Sequence, residues 1–251
     1  MDWKPMSASP NIIDFSAMPL GFDPSFSLPH GPALNICVRL QNAILEHRLP
    51  PGMKLTEEEV GESFDSSRSI VRTALQALAH TGLVQTRKNR GAYVAKPTVE
   101  DAREVFEARA LIEPEIAWHA AGKANDKDLK RLEAHIAAEH LALKSNDVGK
   151  ALAYSGIFHI VIADIAGHSV YSNIVQSLIT QSSLIIALYW DHLETACEDH
   201  SHNILVDAFR NHDGDAARKI MREHLLDLHA GLNLNEIPDS NKSLAQILAG
   251  V

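Results

Sequence analysis

The chain has 251 residues, 45% of them apolar and 22% charged, with 13 glycines, 11 prolines and two cysteines. That is globular composition for one large or two modest domains, and it excludes a disulfide-rich scaffold and a thiolate zinc finger. The formal net charge is −9, from 23 Lys and Arg against 32 Asp and Glu; taken whole, this argues against a nucleic-acid partner, but the charges are unevenly placed along the chain.

Residues 1–33 hold six of the eleven prolines and carry Lys4 against three acids. No apolar periodicity survives among the prolines. This predicts a mobile N-terminal tail, with Phe15, Phe22 and Phe26 available for local docking. A basic region followed by an apolar stretch is missing, so no signal peptide is expected. No uncharged apolar run reaches the roughly 18 residues of a membrane span, so no membrane partner is expected and the default compartment is the cytoplasm.

Residues 34–96 reverse the balance, with nine Lys and Arg against six Asp and Glu. Leu34, Cys37, Val38, Ile44 and Leu45 form the apolar stripe of a first helix that stops before Pro50–Pro51–Gly52. Thr56 with Glu59 three residues on is a capping box for a short helix ending near Phe64. Ser66 or Ser67 then caps a third helix, Arg68–His80, whose inward positions are Ile70, Val71, Ala74, Leu75 and Leu78; Gly82 ends it. Leu83–Val84 and Tyr93–Val94 are two brief strands around the basic, glycine-containing turn Arg87–Lys88–Asn89–Arg90–Gly91. Helix, helix, turn, helix, hairpin is the order of a winged helix-turn-helix.

From Ser66 to Val99 there is no acid and there are six bases: Arg68, Arg72, Arg87, Lys88, Arg90 and Lys96. A chance run on a solvated face would give the same count, but here the bases fall on the two elements such a fold presents to DNA. Arg68 and Arg72 are four apart, hence on one helix face, where an arginine fork can take guanine O6 and N7 or clamp a phosphate. Ser67 and Ser69 are small donors at the same helix end. Thr73 adds a groove contact, Gly91 permits close approach to a sugar–phosphate edge, and Arg87, Lys88 and Arg90 reach phosphate or the minor groove.

Residues 97–251 carry thirteen bases against twenty-three acids and are helical almost throughout. One helix is lined by Val105, Phe106, Ala108, Ile112, Ile116 and Ala120, and a second by Leu129, Leu132, Ile136, His140 and Leu143. Further helices cover 151–166, 170–190, 197–211 and 214–230, with a short seventh in the last ten residues. The fold class is therefore mainly α: a winged helix-turn-helix over 34–96, then an all-helical bundle of six to seven helices over 97–251. Eleven of the fourteen histidines lie in that second part. His159, His202 and His224 each sit near the apolar side of their own helix. Three converging imidazoles suit zinc or nickel, although separated core histidines give the same pattern. His192 and His200 are weaker candidates near a helix end.

The stretch LTEEEVGESFDSSRSIVRTALQALAHTGLVQTRKNRGAYV resembles the head of GntR-family transcriptional regulators: Pro51–Gly52, Leu55, Ser67–Arg68, Val71–Arg72, Ala74–Leu75, Leu78, Gly82–Leu83–Val84 and Gly91 with Val94. Thr73 stands where the family often has Glu, and Asp65–Ser66 where it has Gly-Val. The resemblance implies operator contacts at Arg68, Arg72 and Gly91. Residues from Glu104 to His229 resemble the FCD-type effector domain of the FadR subfamily: Arg109 and Glu113, Phe158–His159, Ala166–Gly167, His202 before Asp207–Ala208, and Ala216–Ala217 with Met221, Arg222, His224 and Leu225. Many members bind a divalent ion through one Asp and three His. His159, His202 and His224 fall on the His positions, and Ser155 on the Asp position, where a hydroxyl offsets no charge and lowers affinity. The family's effectors are often small organic acids. Arg109 is the candidate anchor, with Asn173 and Gln176 beside it; the competing role for Arg109 is an ion pair with Glu113 on its own helix.

Together these features imply a ligand-responsive repressor, not an enzyme: a homodimer reading an inverted repeat in double-stranded operator DNA and released by a small carboxylate. Two other readings use the same residues. One is an architectural or non-specific DNA binder with a degenerate helical half. The other is a hydrolase with a three-His metal, disfavoured because no HExxH or GxSxG motif accompanies it.

Overall fold

The computed structural model describes residues 29–190 and 201–234. The docking proposed for Phe15, Phe22 and Phe26, together with Cys197, His192, His200 and the short last helix, lies outside the described residues. Among these residues the order is α1 (Pro32–Leu45), β1 (Lys54–Leu55), α2 (Glu57–Phe64), α3 (Arg68–His80), β2 (Val84–Arg87), β3 (Gly91–Val94), then six helices: α4 (Val99–Ala121), α5 (Asp126–Lys144), α6 (Val148–Ala166), α7 (Ser169–Tyr189), α8 (Ser201–Arg210) and α9 (Gly214–Ala230).

In the head, α1 starts on Pro32, whose fixed φ suits a first helical turn. The Thr56 hydroxyl accepts from the Glu59 amide as expected, but it also donates to the Glu59 carboxylate, so the predicted box forms side chain to side chain rather than reciprocally with the backbone. Asp65, in left-handed backbone, turns the chain from α2 into α3. Ile36, Leu40, Ile44, Leu55, Val60, Val71, Leu75, Leu78, Leu83 and Val94 close one core, joined by Leu184 from α7. Cys37 belongs to it, and burial pushes its thiol up to about 12.

The hairpin runs further than the sequence indicated. β2 and β3 pair antiparallel from Val84↔Val94 to Arg87↔Gly91. Only Val84 of β2 is buried, so no alternation marked the protruding residues. Asn89 at φ 61° and Gly91 at φ 91° make the reversal. The strand β1, which the sequence did not reveal, pairs with β3 through Lys54↔Tyr93 and Leu55↔Ala92. Two residues are too few to show a period; the Pro-Pro-Gly turn places them there, held by Gly52 and Val94 amides.

The helical half is packed around α6. Its length and apolar content would cross a membrane, but Ile157, Phe158, Val161 and Ile162 are core residues enclosed by neighbouring helices. α4 and α5 are each entered through a reciprocal capping box, at Thr98–Asp101 and Asn125–Asp128. α4 continues through Pro114, which cannot donate to the preceding turn and is tolerated in a buried helix flanked by α6, α7 and α9. On α5 the buried side is not where the sequence reading put it. His140 is exposed, whereas His135 and Glu139 are buried with Leu132 and Ile136.

Head and bundle are in direct contact. The Nε2 of His47 donates to the Ser183 carbonyl of α7 at 3.1 Å. Gly149, in the first turn of α6, lies against the chain leaving α1: a Cβ there would sit 1.9 Å from the Glu46 carbonyl oxygen. Gly149→Ala is therefore expected to cost about 1–3 kcal/mol, because neither backbone yields easily. Calorimetry should show a melting temperature several degrees lower; a parent-like melt would mean that the two backbones do not meet in solution.

His135 gives a second test. Its ring is fully buried, neither nitrogen has a hydrogen-bond partner among the described residues, and burial, reinforced by Arg131, lowers its pKa from 6.5 to about 4. The folded state thus binds fewer protons there than the unfolded chain does. Its contribution is complete above pH 6.5 and is lost as pH falls toward 4, by at most about 3 kcal/mol. His135→Leu should flatten the fall in melting temperature between pH 7 and 4.5; an unchanged slope would refute this.

Candidate nucleic-acid interface and metal centre

All eight head residues picked out in the sequence are exposed: Ser67, Arg68, Arg72 and Thr73 on or beside α3, and Arg87, Lys88, Arg90 and Gly91 on the hairpin. They are exposed because Val71, Ala74, Leu75 and Leu78 take the other face of α3 into the core. The Ser67 hydroxyl does not cap α3. It bonds to the Ser69 hydroxyl at 3.0 Å instead. The Thr73 hydroxyl donates to the Ser69 carbonyl. Arg87 lies over the Tyr93 ring, 4.4 Å from its centroid, which orients the guanidinium along the wing. Lys54, on the strand the sequence did not reveal, sits beside Gly91 and adds a cation to that edge.

The two α3 arginines differ. Arg68 is open, with only Glu58, at 4.0 Å, as an ion-pair partner among the described residues. Arg72 forms a two-pronged pair with Glu57 of α2, at 2.7 and 2.8 Å. That hydrogen bond holds the Glu57 carboxyl below its usual range and raises the arginine. An acid on the preceding helix thus covers one of the two cations that the acid-free stretch had suggested were open.

In the helical half, α6, α8 and α9 bring His159, His202 and His224 together. Their ring centroids are 4.9–5.5 Å apart, and one ring nitrogen from each lies within 4.8 Å of the others. All three are buried. Phe158 stacks on His202 with centroids 4.2 Å apart, which fixes that ring from the α6 side. The arrangement fits a divalent ion on one specific observation: among the described residues, Nε2 of His202 is buried without a hydrogen-bond partner, whereas a buried nitrogen normally has one.

Behind the imidazoles stand two buried carboxylates. Glu113 Oε2 lies 2.6 Å from His159 Nδ1, and Glu139 Oε2 lies 3.1 Å from His202 Nδ1. Glu113 also receives Arg109 at 2.5 Å; burial pushes its carboxyl up, but the Arg109 charge and the hydrogen bonds from His159 and Arg109 hold it down at about 2. Burial takes His159 down to about 4, so its imidazole is neutral at neutral pH, as a metal ligand must be.

Beside His159 is a cavity of about 40 Å³, room for a few waters. Arg109, Ser155, His159, Ser182 and Ser183 are its polar lining, and Leu45, Ile157, Ile179 and Leu228 are among its apolar walls. Both roles considered for Arg109 are present at once: it pairs with Glu113, donates to the Ser182 hydroxyl at 3.1 Å and borders the cavity. Ser155 joins the lining one turn before His159. Asn173 and Gln176 are half-buried on α7 but are not part of this lining; Ser182 and Ser183, two turns further along α7, are.

Sequence reasoning missed Glu139, Ser182, Ser183 and His47. For Glu139 a signal existed, because it follows Leu132 and Ile136 at helical spacing. Nothing in the local pattern marks the serines or His47, whose partners lie 73 and 136 residues away.

Comparison with known proteins agrees with both halves. Residues 32–94 match the family "Bacterial regulatory proteins, gntR family", and residues 104–227 match the FCD domain. The transcriptional repressor RspR of Escherichia coli K12 is 27% identical over 192 residues, covering 75% of this chain and 83% of RspR. The galactonate operon transcriptional repressor of the same organism is 29% identical over 213 residues, covering 73% and 89% of the two chains. A crystal structure of a GntR regulator from Rhodococcus sp. RHA1 has the same fold, with TM-score 0.69 and 22% identity over 79% of this chain and 95% of that one. With a gntR-type head followed by an FCD domain, in the FadR-like arrangement, this chain belongs to the GntR family of bacterial regulators.

Proposed function

We propose that this protein is a repressor that a small carboxylate releases from operator DNA. The observation that carries the reading is the pairing of an outward basic surface on α3 and the wing with an arginine-bearing cavity whose walls include both His159 of the histidine cluster and Leu45 of the head. Arg68 and Arg72 read the major groove, Ser67 and Thr73 flank them, and Arg87, Lys88, Arg90 and Gly91 follow the sugar–phosphate edge. A homodimer sets two such heads on an inverted repeat. Binding DNA in a bacterium places its action in the cytoplasm.

His159, His202 and His224 would hold zinc or nickel, and Ser155 would be a neutral neighbour. An ion there supplies positive charge and an open position for a carboxylate oxygen. Arg109 supplies the second cation, and the serines of the cavity supply hydroxyls. The cavity is mostly aliphatic, which suits a small acid better than a polyhydroxylated one, whose hydroxyls would lose their water partners. That separates this chain from the galactonate implied by the name of one relative.

The route from cavity to head is short. Ser182 accepts from Arg109, the next residue Ser183 accepts from His47, and the next, Leu184, lies in the head's core. An anion that takes Arg109 shifts the same step of α7 to which the head is fastened. Coupling of this kind is typically about 1–3 kcal/mol.

Three measurements test the reading. Arg68→Ala should weaken binding to the DNA upstream of the protein's own gene about 10- to 100-fold in a mobility shift, with unchanged circular dichroism; parent-like affinity would remove Arg68 from the interface. Glu57→Gln releases Arg72 and should tighten the complex several-fold with a steeper salt dependence; weaker binding would show that the pair is needed to orient Arg72. Zinc in excess of its dissociation constant should raise the parent's melting temperature, and His202→Ala should abolish most of that rise; an equal rise in both proteins would reject the three-histidine site.

A further inference from the structure

The three-histidine reading leaves a charge problem that the structure answers at a second layer. The position one turn before His159 is a serine, so the ring of ligands contains three neutral imidazoles and no carboxylate. Such a shell would leave both units of a divalent ion's charge in an apolar interior, with Phe158 against both His159 and His202. Two carboxylates are buried in that same region, at 2% and 3% exposure, each against the Nδ1 of a different histidine.

Resting on the metal reading above, we infer that Glu113 and Glu139 are the positioning and charge partners of the centre. Each accepts from an imidazole Nδ1–H and so turns that ring's Nε2 toward the common point between α6, α8 and α9. The two acids come from separate helices, α4 and α5, so the site is assembled by five helices rather than three. Glu113 is tied to Arg109 as well as to His159, and is charge-balanced before any ion arrives. Glu139 differs. It is 3% exposed, and among the described residues His202 is its one ion-pair partner. On the other side of the same ring, Nε2 of His202 is buried and, among the described residues, without a partner. A cation on Nε2 would fill that gap, with the ring carrying polarisation from the carboxylate to the ion. Outer carboxylates of this kind orient a ligating histidine and raise its basicity, and losing one typically weakens metal binding about 10- to 100-fold.

Glu139 is the residue to change, because replacing Glu113 would also leave Arg109 buried without its acid. Glu139→Gln keeps the shape and an acceptor oxygen but removes the charge. Purified full-length parent and Glu139→Gln would be stripped with chelator and titrated with zinc and with cobalt(II). The expected result is a metal dissociation constant raised about tenfold or more, an altered cobalt visible spectrum, and a metal-free melting temperature equal to or above the parent's. Glu139→Ala, which loses the acceptor too, should be weaker still. A variant with a lower metal-free melting temperature and parent-like zinc affinity would show Glu139 to be a structural acid and overturn the inference. If zinc affinity falls together with the metal-free melting temperature, Glu139→Asp decides: a shorter carboxylate restores part of the affinity in a charge partner, and failure to restore any overturns it. A parent that binds neither metal would overturn the three-histidine reading itself and the inference with it, whereas a binding parent with an indifferent Glu139→Gln overturns the inference alone.

Discussion

The guanidinium of Arg109 and the carboxylate of Glu113 lie 2.5 Å apart within the helical interior, each about 2% exposed. Neither charge is tolerable there without the other: removing one partner of a buried pair commonly costs about 3–5 kcal/mol, although the pair itself adds little net stability. The remaining valences of this pair organise what surrounds it. The second Glu113 oxygen takes His159, and the far side of Arg109 takes Ser182. α4, α6 and α7 are therefore positioned by one polar chain as well as by aliphatic packing. This gives the interior a specific geometry beside the cavity that Arg109 and His159 line.

The same chain explains why the cavity is also a junction. Ser182, Ser183 and Leu184 are consecutive on α7, and successive helical residues point in different directions, about 100° apart. One reaches the arginine, the next holds His47, and the third enters the core of the head. Gly149 lets α6 approach the chain after α1 from another side. A small rotation of α7 cannot be absorbed locally, because packed interfaces of this kind have few intermediate arrangements.

On the outside, charge is divided by position. The acid-rich helical half repels phosphate, and the basic face of α3 and the wing concentrates attraction where the groove would lie. Glu57 moderates that face: its bond to Arg72 neutralises one of the outward cations, and in the proposed function it would compete with DNA, exposed and therefore weak enough to be exchanged.

Local patterns determined much of this. The span Arg68–His80 follows from its apolar spacing and from Gly82, and the outward direction of Arg68 and Arg72 follows from which residues the helix buries. The helices of the second half were legible for the same reason, as was the interior direction of His159, His202 and His224. Local pattern has a reach of a few residues, and the remaining features depend on long-range pairing. β1 exists only because β3 lies beside it. Glu139 is placed by His202, 63 residues away, and Ser183 by His47, 136 residues away. Arg72 is half-neutralised by an acid 15 residues earlier. Periodicity states which way a side chain faces from its own element; only the packing of elements decides which buried groups meet, because that is set by the summed fit of several faces.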